Sequence, residues 1–128
     1  MNLEVGIERL AALVLLLTSL SHITAPATWA HLFERIRKSE APGLANAAIH
    51  LPLGLLIVAF HPVWSGWGLL FTTIGWALLI KGSLHLLFPA VARRSLKLAG
   101  EDPGGRRYRL AGFIMLPLGL LLFSLAWS

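Results

Sequence analysis

Long stretches of apolar residues dominate the chain, and short polar or charged segments separate them. The apolar stretches cover residues 10–25, 43–60, 66–88 and 110–127. Each approaches the roughly 20 residues with which an α-helix crosses about 30 Å of hydrocarbon at 1.5 Å per residue. The pattern therefore predicts four transmembrane helices. Their predicted ranges are about 4–25, 43–61, 65–88 and 109–127.

The first apolar stretch has a polar start, which admits a second interpretation as a cleavable signal peptide. A signal peptide carries net positive charge before its apolar region. Here that region contains Glu4, Glu8 and a single Arg9. We therefore interpret the stretch as a helix of the mature protein, with the two glutamates in the headgroup layer.

The second half of the chain resembles the first half. An offset of 63 residues places His22 and Pro26 on His85 and Pro89, and the hexapeptide LPLGLL recurs 65 residues after its first copy. These matches predict a tandem duplication, with repeat 1 at 1–63 and repeat 2 at 64–128.

The duplication predicts how the repeats are arranged. Because each repeat crosses the membrane twice, the two copies have the same orientation. They are therefore expected to be related by a pseudo-twofold axis along the membrane normal, unlike the inverted repeats of many transporters. The expected fold class is all-α, a four-helix membrane bundle of two parallel two-helix repeats with short interfacial amphipathic segments.

Prolines mark the joints of each repeat. Pro26 and Pro89 are expected to end or bend the first helix of each repeat, since proline lacks an N–H group and disfavours helix in the preceding residue. After Pro26, apolar residues at helical spacing predict an in-plane helix on the membrane surface. These residues are Trp29, Leu32, Phe33 and Ile36. The internal Pro52 and Pro117 predict kinks in the second helices.

Small residues recur every seven positions along the last two helices. The series are Gly68, Gly75 and Gly82, and Gly112, Gly119 and Ala126. Such stripes let helix backbones approach closely in lipid. We interpret them as helix–helix contacts, within the chain or with a partner, and a gap for a cofactor ring is the alternative.

Composition limits the chemistry. Hydrophobic residues make up 56% of the 128 residues, which places the chain among membrane proteins. The chain has no cysteine, which excludes disulfides, thiol catalysis and thiolate metal sites. The net charge of +5 is concentrated in two connections, so anionic lipid is a more economical partner than nucleic acid.

The basic residues also predict orientation. The candidate lipid-headgroup contacts are Arg35, Arg37, Lys38, Arg93, Arg94, Lys97, Arg106, Arg107 and Arg109. All nine lie in the two connections that follow the first and third helices, whereas HPVWSG between the second and third helices has none. By the positive-inside rule, these connections are cytoplasmic and both termini face the other side.

Two segments carry a resemblance to a known family. KGSLHLLFPAVARR, followed by RRYRLAGFIMLPLGLLLF, resembles a bacterial group of short two-helix inner-membrane proteins of unknown function. The resemblance covers about 75–127 and more faintly 12–60. It implies a fused tandem of that unit in the bacterial inner membrane, and it implies no chemistry.

Polar residues inside the apolar stretches are the remaining candidates for function, since they are costly in hydrocarbon. His22 and His85 are candidate cofactor ligands, for a bis-histidine haem or a pigment. Asn46, His50 and Lys81 are candidate substrate or partner residues, on a path for a proton, an ion or an anionic substrate. In the structural alternative, the two histidines cap the helix ends at headgroup level and the lysine snorkels.

The repeats differ at the other polar positions. Thr18 corresponds to Lys81, Asn46 to Ala111 and His50 to Met115. Only the two histidines match, which disfavours a symmetric site.

No catalytic or metal-binding motif is present in the sequence. We therefore expect no enzyme, no metal and no bound cofactor. The sequence favours an accessory, assembly or structural subunit of a larger inner-membrane complex, with other membrane subunits or a second copy as partner. The first alternative is a small transporter or channel that uses His50 and Lys81, and the second is a haem or pigment protein that uses His22 and His85.

Overall fold

The computed structural model describes residues 2–99 and 101–128, and these residues form α-helices joined by short connections, with no strand among them. The helices are α1 (Leu3–Thr24), α2 (Pro26–Lys38), α3 (Pro42–Phe60), α4 (Gly68–Leu87), α5 (Pro89–Ala99) and α6 (Arg106–Trp127). The all-α expectation is confirmed.

Three helices, α3, α4 and α6, are each long and apolar enough to cross a membrane. Helices α1 and α2 pass the same test together and are bent by 101° at their junction, so they add a fourth span if the pair is counted as one. Large apolar side chains cover the outside of these helices, where water would be unfavourable and lipid favourable. These are the properties of a multi-pass membrane protein.

The long helices pack in two pairs. Helix α1 runs along α6 and α3 runs along α4, and the pairs meet where α1 contacts α3 and α4. Glycines allow the close approach within each pair. Gly54 of α3 lies against the backbone of Leu78 and Leu79, and Gly119 of α6 lies against that of Leu15 and Leu16.

The glycine stripe of α4 faces inward. Gly75 packs against Ile57 and Gly82 packs against Leu51, both on α3. The stripe of α6 faces α1, where Gly112 meets His22. The small-residue stripes therefore form helix–helix contacts within the chain. The sequence had left open whether these contacts are within the chain or with a partner.

The ends of the molecule differ in character. The terminal face contains the start of α1, the end of α6 and the α3–α4 connection, and there the Nε of Arg9 donates to the carbonyl of Ala126 at 3.1 Å. The basic face contains α2 and α5, which contact each other, and the turn that leads into α6. A small core of apolar side chains lies toward the terminal face. It consists of Ile7, Ala11, Ala12, Ile57, Phe71, Leu122 and Ala126.

Prolines begin α2, α3 and α5, at the position where their missing N–H group costs no helical hydrogen bond. Helices α3 and α6 run continuously through Pro52 and Pro117. In α2, Pro26, Ala30 and Ile36 are buried against the rest of the protein, whereas Leu32 is 39% exposed.

Candidate functional site

The polar residues predicted on α3 and α4 form one cluster. Asn46 and His85 are both buried, with exposures of 3% and 5%, and the amide Nδ2 of Asn46 lies 3.0 Å from Nδ1 of His85. One turn along α3, Nδ1 of His50 donates to the carbonyl of Asn46 at 2.9 Å. Lys81 of α4 lines the same groove as His85. We call these four residues the Asn46–His85 cluster.

The Asn46 amide sets the tautomer of His85. In the orientation of the Asn46 amide that the structure shows, its nitrogen donates to Nδ1 of His85, which places the ring proton on Nε2. The Nε2 atom makes no hydrogen bond with any described residue, and His85 lines an outward groove. The ring therefore presents an N–H donor that no protein group uses.

Asn46 itself is incompletely bonded. Its Oδ1 is buried and has no hydrogen-bond partner among the described residues. A buried acceptor without a partner costs about 1–3 kcal/mol. The residue is therefore not explained by stability alone, which favours a role in orienting the imidazole.

The groove next to this cluster lies between α4 and α5 and has a volume of about 390 Å³. Lys81 and His85 give it polar groups from α4, and Ser95 adds a hydroxyl from α5. Ile80 and Leu84 make its wall apolar and are exposed on the outside of the protein. Lys81 thus lies on the outer surface of α4 and not between the helix pairs.

His22 occupies a different environment from His85. Its Nδ1 donates to the carbonyl of Thr18 at 2.8 Å, and its ring stacks on Trp29 of α2 with centroids 4.3 Å apart. Tyr108 of α6 lies 5.9 Å away on another side. The two histidines that the sequence offers as a ligand pair therefore belong to separate helix pairs.

The imidazoles of His22 and His85 also differ in whether a ring nitrogen keeps a free lone pair. With Nδ1 protonated, His22 has a lone pair on Nε2, whereas His85 has its proton there. Of these two histidines, His22 alone has a nitrogen lone pair available for a metal. Within the described part of the chain, no group of three or more His, Asp or Glu residues could hold a metal ion.

A second polar bridge lies at the terminal face. There, His61 of the α3–α4 connection links Glu8 of α1 to Thr72 of α4. His61 is 0% exposed, with Nε2 at 2.7 Å from Oε1 of Glu8 and Nδ1 at 2.9 Å from Oγ1 of Thr72. The Thr72 hydroxyl lies 2.6 Å from the carbonyl of Val63. Since this hydrogen goes to Val63, Thr72 must accept from Nδ1–H of His61, and one proton lies between His61 and Glu8.

Sequence reasoning missed His61 because it treated HPVWSG as an uncharged connection. The signal that could have found it is Glu8, a carboxylate close to an apolar helix that needs a partner. Its carboxyl Oε1 lies 2.7 Å from Nε2 of the buried His61.

No family model matches the chain, and no curated protein and no solved structure matches it.

The basic residues divide into two groups. Arg37 and Lys38 of α2 pair with Glu34 at 2.7 and 2.9 Å, and Arg37 also lies 3.5 Å from Glu101. Hydrogen bonds from Arg37 and then Lys38 hold the pKa of the Glu34 carboxyl below its ordinary value. These two cations are therefore already engaged with carboxylates.

The other predicted headgroup contacts have exposed side chains. They are Arg35, Arg93, Arg94, Lys97, Arg106, Arg107 and Arg109. All of them lie at the basic face, on α2, on α5 and in the first turn of α6. Three of them lie on α5, whose Val91 and Ser95 line the groove.

Proposed function

We propose that this protein is a non-catalytic membrane subunit that acts by binding. It is an accessory, assembly or structural component of a larger bacterial inner-membrane complex, or it assembles with further copies of itself. Its soluble parts are limited to α2, α5 and short connections, so its binding surface lies mainly within the membrane.

One observation carries this proposal. The glycine stripes make contacts inside the chain and His22, Asn46 and His85 are buried there, whereas the exposed surface of the spanning helices carries many bulky apolar side chains. Trp76, about halfway along α4, is 40% exposed, and Phe113, Ile114 and Phe123 project from α6. Bulky aromatic side chains provide a large contact area and are common in protein interfaces.

The internal packing supports the proposed tandem repeat. An offset of 65 residues relates Gly54 to Gly119, and an offset of 63 relates Leu15 and Leu16 to Leu78 and Leu79. Gly54 contacts the second leucine pair and Gly119 contacts the first. Each glycine thus makes the contact that a pseudo-twofold axis along the membrane normal requires, so the helix pairs form between repeats.

Topology and lipid contact belong to the same proposal. The charged connections face the cytoplasm and both termini face the other side. The exposed cations of the basic face contact anionic headgroups there, where each contributes about 1 kcal/mol near the surface.

Site-specific photo-cross-linking in native membranes tests the subunit proposal. A photoreactive amino acid replaces Trp76 or Ile114 on the outside, and buried Phe71 is the matched control. We expect the two outer positions to give a protein adduct of constant mass, and Phe71 to give none. An adduct that adds a second 14.0 kDa chain identifies a homo-oligomer.

Two results would contradict the proposal. The first is that the outer positions react only with lipid, and the second is that the purified chain alone moves a solute across liposomes. The second result would favour the transporter with His50 and Lys81. The structure favours that alternative less, because Lys81 is on the outer surface of α4.

A further inference from the structure

The groove between α4 and α5 has an ordered distribution of polar and apolar groups. Its wall on α4 extends from Ala77 to His85, which is about 12 Å at 1.5 Å per residue. Ala77 and Ile80 lie at the end far from the basic face. Lys81 and His85 lie nearer the end of the helix at Leu87, and Ser95 of α5 adds a hydroxyl to the groove.

The charged and imidazole groups of this groove are donors. The ammonium of Lys81 has three N–H donors and no acceptor. His85 presents Nε2–H because Asn46 donates to its other nitrogen. The ammonium of Lys81 and Nε2 of His85 have no hydrogen-bond partner among the described residues, and both side chains line the groove.

The surrounding charge has the same sign. Helix α5 carries the exposed cations Arg93, Arg94 and Lys97 on the turns around Ser95, and it contributes no acidic residue to the groove. A ligand with a negative headgroup is therefore attracted, and one with a positive headgroup is repelled.

We propose that this groove binds one anionic phospholipid, with its phosphate at Lys81 and His85 and an acyl chain along Ile80 and Ala77. The order of groups is that of an amphiphile, polar toward the membrane surface and apolar toward its middle. A soluble phosphate would leave the apolar wall uncovered, so the phospholipid fits better. Only the membrane placement of α4 is taken from the proposed function, and no partner protein is required.

Asn46 is the positioning residue of this site. Its buried amide holds His85 in the tautomer that donates from Nε2, and it does so although its own Oδ1 has no partner among the described residues. Without this amide, the imidazole is free to place its proton on either nitrogen.

The site is tested by native mass spectrometry of the full chain in detergent. The chain is titrated with phosphatidylglycerol or with phosphatidylcholine of the same acyl chains. We expect one phosphatidylglycerol per chain, with Lys81→Gln weakening its binding about tenfold, as expected for one charge-assisted bond. Lys81→Arg should retain binding, and Ile80→Trp, which fills the groove without changing charge, should abolish it.

A matched control separates the site from general charge attraction. Adding Glu40→Gln to Lys81→Gln restores the net charge of the wild-type chain at an exposed position away from the groove, and binding should stay as weak as in Lys81→Gln alone. Recovery of binding in this double variant, or equal binding of both lipids, would overturn the proposal. Displacement of the lipid by millimolar inorganic phosphate would do so too, since it would show a phosphate site in place of a lipid site.

The result of the lipid titration does not depend on the subunit proposal. Extraction of membranes with alkaline carbonate shows whether every variant remains inserted, and release of the wild-type chain would overturn the membrane placement on which both proposals depend. Loss of the cross-linked partner with retention of the lipid would contradict only the subunit proposal. The reverse result would contradict only the lipid site.

Discussion

Three buried histidines of this chain are held by three different kinds of partner. His22 donates to a carbonyl of its own helix, His85 accepts from an amide of another helix, and His61 bridges a hydroxyl and a carboxylate. The polar group that faces each ring, and not its position in the repeat, sets its protonated nitrogen. The matched positions of His22 and His85 therefore do not give them the same chemistry.

The bridge from Glu8 through His61 to Thr72 makes a testable contribution to stability. His61→Leu leaves the Glu8 carboxyl without its hydrogen-bond partner, and we expect a loss of about 1–3 kcal/mol in the free energy of unfolding. The measurement is an SDS titration of the protein in mild detergent micelles.

A double variant distinguishes the bridge from simple loss of packing. Glu8→Leu combined with His61→Leu should recover part of the stability, because neither polar group is then left without its partner. Glu4→Gln, one turn earlier on α1, is the control and should change stability by less than about 0.5 kcal/mol. Additive losses in the double variant would show that the two groups do not interact.

The orientation of His85 by Asn46 gives a spectroscopic prediction. In the wild type, nitrogen-15 NMR of the histidine rings should show the His85 proton on Nε2. In Asn46→Leu, the same ring should show a mixture of tautomers, while the signal of His22 stays unchanged because its donor contact is with Thr18. A proton on Nδ1 of His85 in the wild type would contradict this assignment.

At the scale of helices, close glycine contacts replace the hydrophobic effect as the source of association, since lipid is as apolar as the side chains. A Cβ atom on Gly54 would lie 2.7 Å from the amide nitrogen of Leu79. A Cβ atom on Gly119 would lie 3.2 Å from the Cα of Leu16. Both distances are shorter than van der Waals contact. The neighbouring atoms belong to the backbone, which cannot move aside by a side-chain rotation.

We therefore expect alanine at these glycines to separate the helices of each pair. Gly54→Ala should lower the free energy of unfolding by about 1–3 kcal/mol, and Gly119→Ala by less, because its nearest contact is longer. Gly104→Ala is the control, since a Cβ there meets no atom within 4 Å. Equal stability of all three variants in the SDS titration would contradict the close packing.

At the scale of the whole molecule, the proposed topology places the two faces on opposite sides of the membrane. The chain has no cysteine, so single cysteines give an unambiguous label. Ser65→Cys and Ser128→Cys on the terminal face should react with an impermeant maleimide in intact cells. Ser39→Cys on the basic face should react only after permeabilisation, and early labelling of Ser39→Cys would reverse the proposed orientation.

The sequence by itself determined the helices and their capacity to cross a membrane. Both depend on local properties, namely the length of each apolar stretch and the prolines at its ends. Even the bend between α1 and α2 could be predicted, since Pro26 acts on its immediate neighbours.

Only the tertiary structure decided which polar groups meet. The sequence offered Asn46, His50 and Lys81 as one candidate set and His22 with His85 as another. It did not show that Asn46 meets His85, that Lys81 faces outward or that His22 belongs to the other helix pair. His61 and its bond to Glu8 were not predicted at all. The physical reason is that a contact between helices depends on which helices pair and how each is rotated about its axis. Those quantities follow from distant contacts, such as those of Gly54 and Gly119, and not from the local pattern of residues.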